Sequence, residues 1–418
     1  MSAIPTFDFV RTPINDGLTV IEASAGTGKT FAISHLVPRL LLEGKAPSLD
    51  AILLVTFTNA AAAELAQRVR SVLEKLYAEP TEHEAMREPG VAALRQQFDT
   101  AHIQKVIGKA LMDLDRLNAC TIHSFCMQVL QTEGNLCGLP TVPHLVPDLN
   151  DRMGQMVTEH WQLEIAPNPL LAAIARIGGW SCQADQQFCA TVGEDSEATF
   201  EPAGQTYAEL QQDCQQHFNC LNLSAIDELE GILRGIGKWN KSYPGDDARA
   251  KACDRLRDAV EKNDSVACLH AVLFFNDAKD WIPKRGKVNA EPIEKLEDSI
   301  LYTISCEVSD WCKQSNWSHQ LNVLASVRKR RDKHLADNRL VTYDGLVRQL
   351  HRALTELPAA AQLATALRER FALGLIDESQ DTDQRQYAIF KRIFLDPADL
   401  RTLLLIGDPK QAIYGFRG

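Results

Sequence analysis

The segment Ala23-Ser24-Ala25-Gly26-Thr27-Gly28-Lys29-Thr30 constrains the fold of this chain more than any other. It follows a strand-like run, Leu18–Ala23, and precedes a helical stretch beginning near Lys29. A turn of small residues between strand and helix lets successive backbone N–H groups point inward at phosphate oxygens, and the helix N-terminus adds partial positive charge. In such a loop Lys29 neutralises the outer phosphates and the Thr30 hydroxyl holds Mg²⁺. Loops of this kind usually open with glycine; Ala23 stands there instead, and its small size still lets the loop close. The feature predicts an α/β fold with a buried parallel sheet.

The flanking sequence agrees. Ala51–Thr56 and Ala119–Ile122 read as strands, with an alanine-rich helix over Asn59–Leu76 between them. The same texture returns late, with strands predicted at Ala372–Asp377 and Thr402–Gly407. The block between, roughly 140–325, is rich in Gln, Asn and Cys, reads as amphipathic helix and holds all six tryptophans. Tyr243–Asp247 is its best loop. The division expected is 1–135 and 326–418 as two segments of one α/β domain, with 136–325 a helical insertion.

Of the 418 residues 45% are hydrophobic, which excludes disorder as the main theme. No apolar run approaches the ~20 residues of a membrane span. Met1–Val10 has no basic residue ahead of an apolar core, so a cytoplasmic protein is the expectation. A net charge of −11 disfavours bulk adhesion to nucleic acid, so any such contact needs a local groove. None of the 11 cysteines forms a C-x₂-C pair, which argues for reduced packing thiols rather than zinc. The basic run Arg328–Lys333 reads equally as a phosphate contact or as a solvated face.

The apolar strand Ala372–Ile376 ends in Asp377-Glu378-Ser379-Gln380-Asp381. In a phosphate-loop nucleotidase a carboxylate at such a strand end faces the loop and holds Mg²⁺, the role expected of Asp377. The adjacent acid, Glu378, then polarises the attacking water as general base.

Five segments in order now resemble a known family. They are the loop at Gly26–Thr30, Thr56–Leu65 (TFTNAAAAEL), Thr121–Phe125 (TIHSF), Asp377–Thr382 (DESQDT) and Gly407–Gly418 (GDPKQAIYGFRG). Together they look like the ordered motifs of superfamily 1, UvrD-type DNA helicases. The wording of Ile21–Thr30, Ile376–Phe390 and Leu403–Gly418 is similar to the RecB-type branch of helicase–nucleases. The resemblance covers about 1–135 and 325–418 and is weak between them. It implies a RecA-like P-loop domain, a doubly wound parallel sheet with an inserted helical domain, using ATP and Mg²⁺. It also implies 3′-to-5′ movement on single-stranded DNA in double-strand-break processing and recombinational repair.

Residue by residue, the resemblance implies that Ala23, Ser24, Ala25, Gly26, Thr27, Gly28, Lys29 and Thr30 surround the triphosphate, with Thr30 and Asp377 on the metal. Lys29, Asp377, Glu378 and Gln411 form the catalytic set, Gln411 sensing the γ-phosphate. Phe57, Thr58, His123, Tyr414, Phe416 and Arg417 fall where the family lines its single-strand groove, whose aromatic faces stack on bases without regard to sequence. Three departures stand out. The upstream glutamine that reads adenine in many members is replaced by Asn15 or Asp16 within Arg11–Gly17. Gly345 stands where a second aspartate is common, and Ser379 where an aromatic is common.

In the family a second RecA-like domain follows the fifth motif, and in the RecB-type branch a nuclease domain after that. The expectation is therefore a motor half, not active alone, completed by a C-terminal portion or by RecC- or RecD-like subunits. An ATP- and single-strand-binding module acting through a partner is the alternative. A small-molecule kinase is disfavoured because it has no use for the TFTNAAAAEL and TIHSF segments.

Overall fold

The computed structural model describes residues 6–24, 28–78, 88–192, 199–236, 239, 242–282 and 290–411. The chain divides into two compact units, 1–147 with 339–418, and 148–338. The texture of the sequence put these divisions at 135/136 and 325/326. They fall later because His144–Leu145 pairs as a short strand with Leu340–Val341, and because one helix runs unbroken through Ile300–Asn338.

The first unit is built on five strands: β1 (Gly17–Glu22), β2 (Ile52–Thr56), β3 (Asn118–Thr121), β4 (Leu373–Asp377) and β5 (Thr402–Gly407). They are all parallel, in the order β1-β5-β4-β2-β3. The helices used below are α1 (Lys29–Leu42), α2 (Asn59–Tyr77), α3 (Ile122–Thr132), α4 (Ile300–Asn338), α5 (Tyr343–Thr355) and α6 (Gln384–Phe394). The strands lie within one residue of the ranges read from the sequence.

Register explains why the central strands are largely apolar on both faces. Leu54, Leu375, Leu404 and Thr19 form one row across the sheet, and Val55, Ile376, Leu405 and Val20 the next. Successive residues face opposite sides. Leu54, Leu375 and Leu404 pack under α1, α2 and the helix Thr100–Met112. Val55 and Ile376 pack under α3, α5 and α6. Both faces are covered, so alternation disappears from the central strands. This is a doubly wound α/β sheet. Gly374 serves the second face: a Cβ there would lie 2.8 Å from the Phe394 ring and 3.1 Å from Leu403.

The second unit is helical among its described residues and has its own core, which includes Trp180, Trp281, Phe275 and Leu229. Beside that core runs a buried polar chain. Asp185 and His319 are both essentially inaccessible. One oxygen of Asp185, Oδ2, accepts from Trp161 Nε1 and from His319 Nε2, each at 2.8 Å. The Tyr207 hydroxyl lies 2.9 Å from His319 Nδ1 and 2.8 Å from His160 Nε2. Neutral tautomers satisfy the run, with His160 donating to Tyr207, Tyr207 to His319, and His319 to Asp185. Trp180 stacks flat on His319, centroids 4.0 Å apart. Trp161 opens a π-helical turn, Trp161–Ile165, which directly follows His160.

The basic run Arg328–Lys333 lies in α4, and its arginines are engaged inside this unit. Arg328 lies over the Phe200 ring at 5.9 Å, Arg330 reaches Glu159 at 3.4 Å, and Arg331 is buried against Asp332 at 2.8 Å. Neither a wholly solvated face nor a free phosphate-binding stripe describes it. No helix among the described residues is long and apolar enough to cross a membrane.

Candidate functional site

In a parallel sheet the C-terminal ends of all strands open on one edge, and ligands bind in the crevice outside it. The candidate residues that lie within the described segments gather on that edge, with one exception.

From β1 the chain enters the loop through Ala23, whose N–H donates to the Gly407 carbonyl at 3.0 Å. Gly28 closes the loop at φ +90°, a left-handed conformation that glycine adopts without steric cost. Ala25, Gly26 and Thr27 lie outside the described residues. Helix α1 starts at Lys29 with no side-chain cap and no acidic residue in its first turn. Its leading N–H groups therefore have no side-chain acceptor from the cap residue, which suits an anion. Thr30 is the second residue of that turn.

The acids come from β4. Lys29 Nζ donates to Glu378 Oε2 at 2.7 Å, joining residues 349 positions apart. The lysine side chain is only 12% exposed, which makes this a sheltered pair. Glu378 sits at φ +52°, ψ +43°, costly for a residue with a Cβ and held by its surroundings. Burial pushes its carboxyl upward, but the Gln380 amide and the Lys29 ammonium outweigh this and leave it below the usual range. Asp377 moves the other way. Burial raises it first and the Glu378 charge second, against the Glu378 N–H that bonds its Oδ1 at 3.0 Å. Two adjacent carboxylates, Asp377 half-buried among them, offer hard oxygen donors of the kind that Mg²⁺ takes.

From β5 come Gly407, then Asp408, 3% exposed, whose Oδ2 accepts from Gln411 Nε2 at 2.6 Å. Gln380 spans the two strand exits. Its Nε2 donates to Glu378 Oε2 at 2.7 Å, and its Oε1 accepts from the Asp408 N–H at 3.1 Å. Gln380 and Asp408 belong to motifs visible in the sequence, but their partners are set by tertiary packing.

Next along the edge are the ends of β2 and β3. Phe57 is 48% exposed; Thr58 caps α2, accepting from the Ala61 N–H at 3.1 Å. His123 follows Thr121, which caps α3 by accepting from the Ser124 N–H at 3.2 Å. The His123 ring meets Tyr343 edge-on, centroids 5.1 Å apart. Tyr343 opens α5 and is 44% exposed; sequence reading did not single it out as a contact residue. Gly345 fits its turn for a steric reason, since a Cβ there would lie 3.0 Å from Val341. Tyr414, Phe416 and Arg417 lie outside the described residues.

Asn15 is the exception. It is exposed and precedes β1 by two residues, next to Asp16, whose carboxylate accepts from the Thr402 hydroxyl at 2.9 Å where β5 begins. Six strand residues, roughly 20 Å at about 3.3 Å each, separate that end from the phosphate loop. Asn15 therefore lies at the opposite end of β1 from the phosphate loop.

Comparison with known proteins agrees in family. The chain is 30% identical to the RecBCD enzyme subunit RecB of Escherichia coli (strain K12) over 437 residues, covering 99% of this chain and 35% of that protein. It is 28% identical over 440 residues to the subunit of the same name from Chlamydia muridarum (strain MoPn / Nigg), covering 99% and 40%. With that of Haemophilus influenzae (strain ATCC 51907 / DSM 11121 / KW20 / Rd) it shares 27% identity over 471 residues, covering 98% and 37%. It thus spans little more than a third of these relatives' length. The UvrD/REP helicase N-terminal domain matches residues 10–418, and the chain belongs to that family.

Proposed function

We propose that this chain is the N-terminal, ATP-binding motor half of a RecB-type 3′-to-5′ DNA helicase that acts in the cytoplasm in double-strand-break processing and recombinational repair. The observation that carries the reading is the Lys29–Glu378 pair at 2.7 Å, which joins the phosphate loop to the strand-end acids. Lys29 leaves Glu378 for the outer phosphate oxygens of ATP, while the N–H groups at the start of α1 hold the others. Thr30 and Asp377 hold the metal; Mg²⁺, when bound, neutralises charge on the phosphates and orients them. Glu378, freed from Lys29, accepts the proton of the attacking water. Gln411 senses the γ-phosphate. Phe57 and His123 offer faces for bases, with Thr58, Tyr414, Phe416 and Arg417 completing the track along the strand.

These 418 residues turn ATP over slowly by themselves, since an arginine finger supplied by a second domain is worth about 10³–10⁵ in rate. A C-terminal portion, or subunits like RecC and RecD, completes the motor. Steady-state phosphate release, measured with and without single-stranded DNA, tests this. Slow turnover is expected, lowered further by Glu378→Gln, with nucleotide binding lost in Lys29→Ala. Robust DNA-stimulated turnover by the chain alone overturns the claim of dependence. Binding that ignores Lys29 overturns the site itself. DNA binding with no nucleotide coupling favours a binding module.

A further inference from the structure

Glu378 Oε2 accepts two donors, Lys29 Nζ and Gln380 Nε2, both at 2.7 Å. The other end of the same amide accepts the Asp408 N–H at 3.1 Å. Asp408 in turn accepts from the Lys410 N–H at 3.1 Å and, through Oδ2, from Gln411 Nε2 at 2.6 Å. The series Lys29–Glu378–Gln380–Asp408–Gln411 therefore crosses the exits of β1, β4 and β5 without a gap. The amide of Gln380 has little room to swing. A Cβ on Gly407 would lie 2.4 Å from its Oε1 and 2.8 Å from Ser379 Oγ, so the side chain lies against the bare backbone of β5.

This arrangement has a consequence once Lys29 is drawn to phosphate. The carboxylate loses its charged donor, and on that oxygen the Gln380 amide remains. A carboxylate released from a lysine and tethered by one neutral amide pulls on that amide, and the amide is bonded to the backbone that carries Gln411. We infer that Gln380 is a positioning residue: it fixes the Glu378 carboxylate after Lys29 departs and transmits that departure through Asp408 to Gln411. The inference rests on the reading of the site as a triphosphate pocket and adds a residue and a route to it.

The test is a set of binding measurements on the 418-residue chain, with Mg²⁺ and the mant derivatives of ADP and of a non-hydrolysable ATP analogue. The wild type is expected to prefer the triphosphate. Gln380→Leu, which can make neither bond, loses most of that preference, about tenfold for a hydrogen bond to a charged group, while ADP affinity stays within about twofold. Gln411→Ala loses the same preference, and the double variant loses no more than either single one, because both cut one series. Gln380→Glu keeps the shape and the acceptor for Asp408 but puts a carboxylate against Glu378; it follows Gln380→Leu and keeps the test open should Leu fold poorly. Equal loss of both nucleotides, additive effects, no effect, or a wild type that binds both nucleotides equally through Lys29 each overturn the inference. Binding that is absent in the wild type, or unchanged in Lys29→Ala, refutes the pocket instead.

Discussion

Replacing Asp185 by alanine tests the buried polar chain of the helical unit. The carboxylate is 1% exposed, and its Oδ2 is the acceptor for two buried donors, Trp161 Nε1–H and His319 Nε2–H. Alanine leaves both without an acceptor, and a buried unsatisfied donor costs about 1–3 kcal/mol. The sum is about 2–6 kcal/mol. Asparagine is gentler. Asp185 Oδ1 has no partner among the described residues, so an amide can offer its oxygen to both donors, leaving one NH₂ without an acceptor in place of two separate donors. What disappears is the charge, and the cost falls to about 1–2 kcal/mol. The assay follows from the distribution of tryptophan: all six lie within 148–338, so their fluorescence during urea unfolding reports on this unit alone. With a denaturant slope of about 2 kcal/mol per molar, Asp185→Ala moves the midpoint down by about 2 M and Asp185→Asn by less than 1 M. An alanine midpoint within error of the wild type, at unchanged slope, refutes the network as a source of stability.

Three further outcomes follow from the same geometry. Gly374→Val drives a side chain into the Phe394 ring and Leu403, so the sheet unit loses about 1–3 kcal/mol, read as a lower midpoint in far-ultraviolet circular dichroism while the tryptophan transition is unmoved. His160 is pushed down to about 4, first by burial and then by His319 and Arg330, against Asp185. The unfolded chain takes up that proton near pH 6.5 and the folded one only near 4, so stability is full above about 6.5 and falls by up to about 3 kcal/mol on acidification to 4. His160→Gln, which keeps a donor for Tyr207, flattens that limb of the tryptophan-detected stability curve; an unchanged limb refutes the assignment. Phe57→Ala weakens binding of a fluorescent oligothymidine by about 1–3 kcal/mol without changing its nucleotide affinity, and an unaltered titration removes Phe57 from the track.

What the sequence disclosed depended on how local the signal was. The phosphate loop is one strand, one turn and one helix start, so Gly28, Lys29 and Thr30 were legible together. The strands were legible because a sheet covered on both faces leaves unbroken apolar runs such as Ile52–Val55 and Leu403–Ile406. Asn15 rests on where the family places its adenine-reading residue, and sequence alone does not show that β1 sets it at the other end from the loop. Gln380 was passed over because its partner, the Asp408 N–H, lies 28 residues away on another strand. The arginines of Arg328–Lys333 looked like a surface because sequence shows charge but not the Phe200 ring or Glu159 that engage it. His160, Asp185, Tyr207 and His319 come from four helices and share no spacing, so nothing in one dimension joins them.

Strand order then decides which proposed functions become neighbours. β1, β5 and β4 deliver the loop, Gln411 and the acids; β2 and β3 deliver Phe57, Thr58 and His123. The boundary between the two groups is the β4–β2 pair, where Val55 lies beside Ile376 and adjacent strands are about 4.8 Å apart. Two residues beyond that pair come Glu378 on one strand and Phe57 on the other. A change at the β4 exit therefore needs no relay through the core to meet the β2 exit. A parallel sheet with this order places the three strand exits proposed to grip phosphate directly against the two proposed to meet bases, although Lys29 and Glu378 are separated in sequence by the entire helical unit. Inserting that unit between β3 and β4 leaves the edge intact, because every strand still enters from one side and leaves at the other.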